Sequence, residues 1–204
     1  PHISARVMTK DLVSVCDHLY EGEPGDDTTV AAVHIMPRTT TRVMVGPASS
    51  PDMDAKQVRD LILTSGKKVV CGGTTSKIVA IDVELKYYDE EVPPTAHIEG
   101  IDLVTEGILT LSAAEKRMKE YLDEYEDNVR KKEILDLDKK DGATKLVRLL
   151  VEECTDVVFM MGQANNPAHQ NLDAPVSLNI KVRIVQNIAT MLEKLGKHAE
   201  VEYY

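Results

Sequence analysis

TRVMVGPASSPDMDAKQVRDLILTSGKKVVCGGTTSKIVAI, residues 41–81, carries the reading of the fold. Thr41 to Val45 is a run of β-branched and apolar residues that reads as a strand, and Gly46-Pro47 turns the chain out of it. Asp52 is placed to cap a helix over 53–64 with Val58, Leu61 and Ile62 along one side. Gly66 closes that helix, and Lys67 to Cys71 returns as a second strand. Gly72-Gly73 then leads into another helix over Thr74 to Ile81. This strand-helix alternation predicts an α/β domain whose parallel strands are joined by right-handed crossovers.

Working outward, Glu84 to Glu106 is acidic and loop-rich, contains Pro93-Pro94, and ends in a short strand over Ile101 to Val104. Ser112 begins a long charged helix to about Leu135, with Glu120 to Asp127 as its solvated face. Asp141-Gly142 breaks the chain before a helix at 143–153, where Leu146, Val147 and Leu150 are apolar. Thr155 to Met161 reads as a buried strand, followed by a polar loop from Gly162 to Pro175. Ser177 is expected to cap the last helix, whose stripe is Ile184, Val185, Ile188, Met191, Leu192 and Leu195. Gly196 ends it, and His198 to Tyr204 closes as a strand. At the other end, Met8, Leu12, Val15, Cys16 and Leu19 recur at helical spacing over 7–20. Gly22, Pro24 and Gly25 break that helix, and Thr28 to Met36 reads as a strand ended by Pro37.

The chain has 204 residues, 43% hydrophobic and 28% charged, which is globular chemistry rather than disorder. A formal charge of −10 argues against broad capture of nucleic acid or of an anionic membrane surface. No apolar run approaches the roughly 20 residues of a spanning helix. Cys16, Cys71 and Cys154 are odd in number, far apart and without a CxxC pair, so a reducing cytoplasm is the expected location. The chain opens Pro1-His2-Ile3, without an initiator Met or a leader pattern, and is read as a piece of a longer protein.

Two places could carry chemistry. Asp26 and Asp27 sit at a strand entrance, where one carboxylate can ligate a hard cation such as Mg²⁺ or Mn²⁺; the competing reading is an ordinary Asp turn. In Cys71-Gly72-Gly73-Thr74-Thr75-Ser76, a strand runs through two glycines into a helix start. Free N–H groups there could meet a small anion, with Gly72, Gly73, Thr74 and Thr75 as the candidate residues. Neither a Walker ending nor GxGxxG is present, and a plain Thr-capped helix is the competing reading. Cys71 at a helix start could have a lowered pKa. Gln163 to Gln170, with Asn165, Asn166 and His169, follows a buried strand, a position where open α/β sheets hold ligands. His97-Ile98-Glu99 lacks the Pro-Cys-x-x-Cys partner of zinc deaminases and is set aside.

Leu12 through Tyr20, followed by Glu23-Pro24-Gly25-Asp26-Asp27-Thr28-Thr29-Val30-Ala31-Ala32-Val33, resembles the last helix and strand of a metal-dependent serine/threonine phosphatase. The branch is the PPM type related to the stage II sporulation protein SpoIIE, whose closing motif is Asp-Asp-x-Thr-Val. The resemblance covers about residues 5–36 and implies that Asp26 is a metal ligand. It further implies Mn²⁺ or Mg²⁺ as cofactor and a phosphoprotein as the parent's substrate. The family's earlier Asp-Gly motifs have no counterpart, and Asp141-Gly142 follows the closing motif instead of preceding it. The chain alone is therefore expected to be inactive. On this reading, residues 1–37 end a phosphatase domain and 38–204 form an accessory α/β domain with a possible small anionic ligand. The rival expectations are a free-standing α/β protein that binds a small ligand, and a purely structural interaction module.

Overall fold

The computed structural model describes residues 3–23, 25–80, 95–126, 137–164 and 174–204. The chain divides into two compact units, Pro1–Pro37 and Arg38–Tyr204.

In the first unit, Ala5–Leu19 forms helix α1. Ser4 caps it, its hydroxyl accepting from the Val7 N–H at 3.3 Å. None of the helix residues is buried. Thr28 to Met36, expected as a strand, has no ladder partner among the described residues and runs as irregular chain. The β-branched pattern is there, but a strand exists only where another backbone accepts its hydrogen bonds. Val33 and Ile35 are accordingly 89% and 90% exposed.

The second unit has the α/β architecture read from the sequence. Its strands are β1 (Thr40–Val45), β2 (Lys68–Cys71), β3 (Thr95–Ala96), β4 (Leu103–Thr105), β5 (Asp156–Met161) and β6 (His198–Tyr203). Its helices are α2 (Pro51–Ile62), α3 (Gly73–Val79), α4 (Ile108–Glu126), α5 (Gly142–Glu152) and α6 (Ala174–Lys194). The sheet order is β3-β4-β2-β1-β5-β6. All neighbours are parallel except the short edge strand β3, which runs antiparallel to β4. From β1 the chain therefore builds outward through β2 and β4 on one side, then through β5 and β6 on the other.

Alternation along the strands sorts the core into two layers. Val43, Val45, Val69 and Phe159 face α4, α5 and α6 with Leu111, Leu146, Leu150, Ile188 and Leu192. Met44, Val70 and Met160 face α2 and α3 with Leu61, Val58 and Ile78. Every residue of β5 is buried, as a strand covered on both faces requires.

Several boundaries differ from the sequence reading for local reasons. Ser50, not Asp52, caps α2: its hydroxyl accepts from Met53 N–H at 3.4 Å, and Pro51 sits in the first turn, where its missing N–H costs nothing. The long helix begins at Ile108 instead of Ser112, and its expected end near Leu135 lies outside the described residues. Helix α6 begins at Ala174, so Ser177 lies inside it instead of capping it. The segment read as loop before Ile101 contributes β3.

Phe159 is fully buried and pairs in register with Val43 at the centre of the sheet. Replacing it with Ala is expected to cost about 3–5 kcal/mol. Urea unfolding should show a lower midpoint with an unchanged slope. A loss below about 1 kcal/mol would contradict this packing.

Candidate functional site

In an open parallel sheet, ligands gather beyond the carboxyl ends of the strands, above all where the strand order reverses. Here that point lies between β1 and β5. It is closed by backbone. The Gly162 N–H donates to the Val45 carbonyl at 2.9 Å, and the Ala164 N–H donates to the Pro47 carbonyl at 3.1 Å. The Tyr204 carbonyl accepts from Ser49 and Gln163 at 3.3 and 3.0 Å. A Cβ on Gly162 would lie 2.0 Å from the Pro47 oxygen, so only glycine permits this approach. The expected ligand loop thus has its first amides engaged internally; Asn165, Asn166 and His169 lie outside the described residues.

The helix starts along this edge are filled in the same way, by the protein's own side chains: the Ser50 hydroxyl at α2 and carboxylates at α4 and α5. The Asp54 carboxylate accepts from Ala48 N–H at 2.7 Å, just before α2. Glu106 accepts from Leu109 N–H at 3.2 Å at the start of α4. Asp141 accepts from Thr144 N–H at 2.9 Å and from the Thr144 hydroxyl at 2.6 Å at the start of α5, with Arg117 at 2.9 Å on its other side. Negative charge at these positions complements the helix dipoles. Asp141-Gly142 is therefore an N-cap. A Cβ on Gly142 would stand 3.0 Å from the Thr95 methyl, which explains the glycine.

Helix α3 differs. Its cap residue Gly72 has φ +119° and no side-chain capping bond. The Gly72 N–H itself is engaged with the Thr105 carbonyl at 2.9 Å, and its carbonyl receives the Ser76 hydroxyl at 2.7 Å. Thr75 is buried and Thr74 exposed. Gly107 packs so closely that a Cβ there would lie 3.0 Å from the Gly72 Cα. Of the four expected anion-site residues, Gly72 is already engaged through both N–H and carbonyl, and helix α3 starts at Gly73.

Cys71 corrects an expectation. Burial pushes its thiol up to about 12, despite the opposing Thr105 hydroxyl, so it is not a poised nucleophile. Asp26 and Asp27 are exposed, and an Asp26 carboxylate oxygen accepts from the Asp27 N–H at 2.8 Å. Among the described residues, no three His, Cys, Asp or Glu side chains converge as a metal site would need.

One polar network was not singled out in the sequence. Lys56 bonds Asp60 at 3.0 Å one helical turn away and lies 4.7 Å above the Tyr204 ring. The Tyr204 hydroxyl meets the Asp60 and Glu202 carboxylates at 3.0 and 2.9 Å, and Arg42 reaches Glu202 at 3.2 Å. These five residues line a cavity of about 750 Å³ between α2, β1 and β6. Only the Lys56/Asp60 spacing was visible in the sequence.

No family model, no curated protein and no solved structure matches the chain. No helix among the described residues is long and apolar enough to cross a membrane.

Two buried acids set the acid limb of stability. The Arg38 guanidinium and then the Thr155 hydroxyl hold Asp156 at about 2. Burial alone would raise Asp141, but the Thr144 hydroxyl, the Thr144 N–H and Arg117 together lower it. Both folded values lie below the unfolded carboxylate value of about 3.9, so their stabilisation is complete above it and is lost as pH falls through the folded values. The urea midpoint is expected to fall between about pH 5 and pH 2, with a shallower fall in Asp141→Asn. A flat midpoint over that window would contradict the assignment.

Proposed function

We propose that this chain is the C-terminal part of a SpoIIE-like, metal-dependent serine/threonine protein phosphatase: residues 1–37 end the catalytic domain and 38–204 form an accessory α/β domain. The motif Asp26-Asp27-Thr28-Thr29-Val30 supports the reading from the sequence. The observation that carries it is the state of the first unit. A helix with no buried residue, followed by a β-branched segment with no strand partner among the described residues, has the character of pieces that a larger domain covers.

On this proposal Asp26 supplies one carboxylate to Mn²⁺ or Mg²⁺, the protein is cytoplasmic, and the parent's substrate is a phosphoprotein. A two-metal centre needs several converging ligands, and the described residues by themselves do not provide such a set. The catalytic step belongs to the parent. For the accessory domain we place a small anionic ligand at Gly72, Gly73, Thr74 and Thr75. The support is that the starts of α2, α4 and α5 are capped by Ser50, Glu106 and Asp141, while α3 has no side-chain cap.

The reading frame upstream of Pro1 should encode the missing Asp-Gly motifs. The full protein should hydrolyse a phosphoserine peptide with Mn²⁺, and Asp26→Ala should abolish that activity. A start codon immediately upstream would instead favour a free-standing ligand-binding α/β protein.

The anion proposal is tested by thermal shift with phosphate-bearing metabolites. Saturation to about 100 times Kd should add about 2.7 kcal/mol, a rise of several degrees, and Gly73→Phe should erase it with circular dichroism intact. No shift with any anion would remove this site.

A further inference from the structure

Strand β6 ends the sheet: among the described residues no strand pairs beyond it. Its ladder to β5 runs in unbroken register from His198 to Tyr203. The His198 N–H donates to the Thr155 carbonyl at 3.2 Å, and the Tyr204 N–H donates to the Met161 carbonyl at 2.9 Å. Even-numbered residues therefore serve β5, and the N–H and C=O groups of Ala199, Val201 and Tyr203 point to the open side. Edges that resist further pairing are short, bulged, interrupted by proline or rich in lysine. Strand β6 has six residues, none of them Pro or Lys, and pairs without a bulge.

The two faces of this edge differ in chemistry. Glu200 and Glu202 stand in register with Val158 and Met160, on the α2 side. Glu200 is exposed. Glu202 receives Arg42 and the Tyr204 hydroxyl on Oε2, at 3.2 and 2.9 Å, so its Oε1 has no hydrogen bond among the described residues. On the other side Ala199 and Val201 pack on the α6 layer but are only partly buried, as is Met191. Tyr203, in register with Met161, is 48% exposed. An incoming strand with alternating side chains sets one row beside the two carboxylates and the other beside Val201 and Tyr203. Cations suit the first row and apolar groups the second. A second copy of β6 matches less well. Antiparallel pairing about Val201 sets Glu200 opposite Glu202, and each chain carries a formal charge of −10.

We propose that the open edge of β6 docks an extended segment of another protein in which Lys or Arg alternates with apolar residues, added to the sheet as a further strand. The outward N–H and C=O groups hold its backbone, and the two faces select its side chains. The edge lies away from the Gly72 turn and does not depend on the phosphatase reading.

The test is a titration of the ¹⁵N-labelled 204-residue chain with the capped peptide Lys-Val-Lys-Val-Lys-Val. Glu-Val-Glu-Val-Glu-Val and Lys-Lys-Lys-Val-Val-Val serve as controls. Saturable amide shifts centred on β6 are expected with the first peptide alone. At about ten times Kd, hydrogen exchange at Ala199, Val201 and Tyr203 should slow about tenfold. Methylating one alternating set of peptide nitrogens should abolish binding, and methylating the other set should leave it, because only one set faces β6. Glu200→Lys should keep the native spectrum and weaken the basic peptide by about fivefold or more. No saturable shift at roughly 1 mM peptide would overturn the proposal. Equal binding of either control, methylation effects that do not depend on the set, or binding unchanged in Glu200→Lys would also overturn it. Protection of the same amides that rises with protein concentration alone would overturn it in favour of a second copy.

Discussion

The contact between Gly162 and the Pro47 carbonyl is the constraint on which the second unit depends. It lets the chain leaving β5 lie directly against the chain leaving β1, so the two halves of the sheet are stitched at the point where their order reverses. The same stitch holds the Tyr204 carbonyl between the amides of Ser49 and Gln163. With its main chain fixed there, the Tyr204 ring is buried against the α2 layer, and its hydroxyl is carried to Asp60 and Glu202. Closure of the crevice and construction of the neighbouring polar groove are thus two results of one backbone arrangement.

The acidic balance also takes on a structural meaning. Asp54, Glu106 and Asp141 lie at the helix starts along the carboxyl edge of the sheet, where unpaired N–H groups and the helix dipole favour a carboxylate. Asp156 is held by Arg38 at the opposite end of β5. These carboxylates are therefore built into the fold, and Glu106 and Asp141 fill positions that in other α/β sheets receive ligand phosphate. The two buried cysteines fit this picture: Cys71 and Cys154 both have their thiols raised by burial and act as small core residues.

The first unit obeys a different rule. Met8, Leu12, Val15 and Leu19 recur along α1, yet they are 46%, 48%, 55% and 78% exposed. Periodicity states which face of a helix is apolar; it does not supply the surface that covers it. The Thr28 to Met36 segment makes the same point for a strand, because β-branched composition favours extension but the ladder needs a second backbone.

Read by itself, the sequence determined the alternation of strands and helices in Arg38–Tyr204, because β-branched runs, helical stripes and glycine breaks are local signals. It determined the apolar face of α6 and the buried character of β5 for the same reason. It located the Gly72-Gly73 turn and the Asp141 break, but not what they do: Asp141 becomes a cap bonded to Arg117 only when α4 lies beside α5. The strand order, the closure at Gly162 and the meeting of Arg42, Asp60, Glu202 and Tyr204 were decided by tertiary structure alone. Those residues are separated by up to 162 positions, and only parallel pairing of β1, β5 and β6 under α2 brings their polar groups within hydrogen-bonding distance.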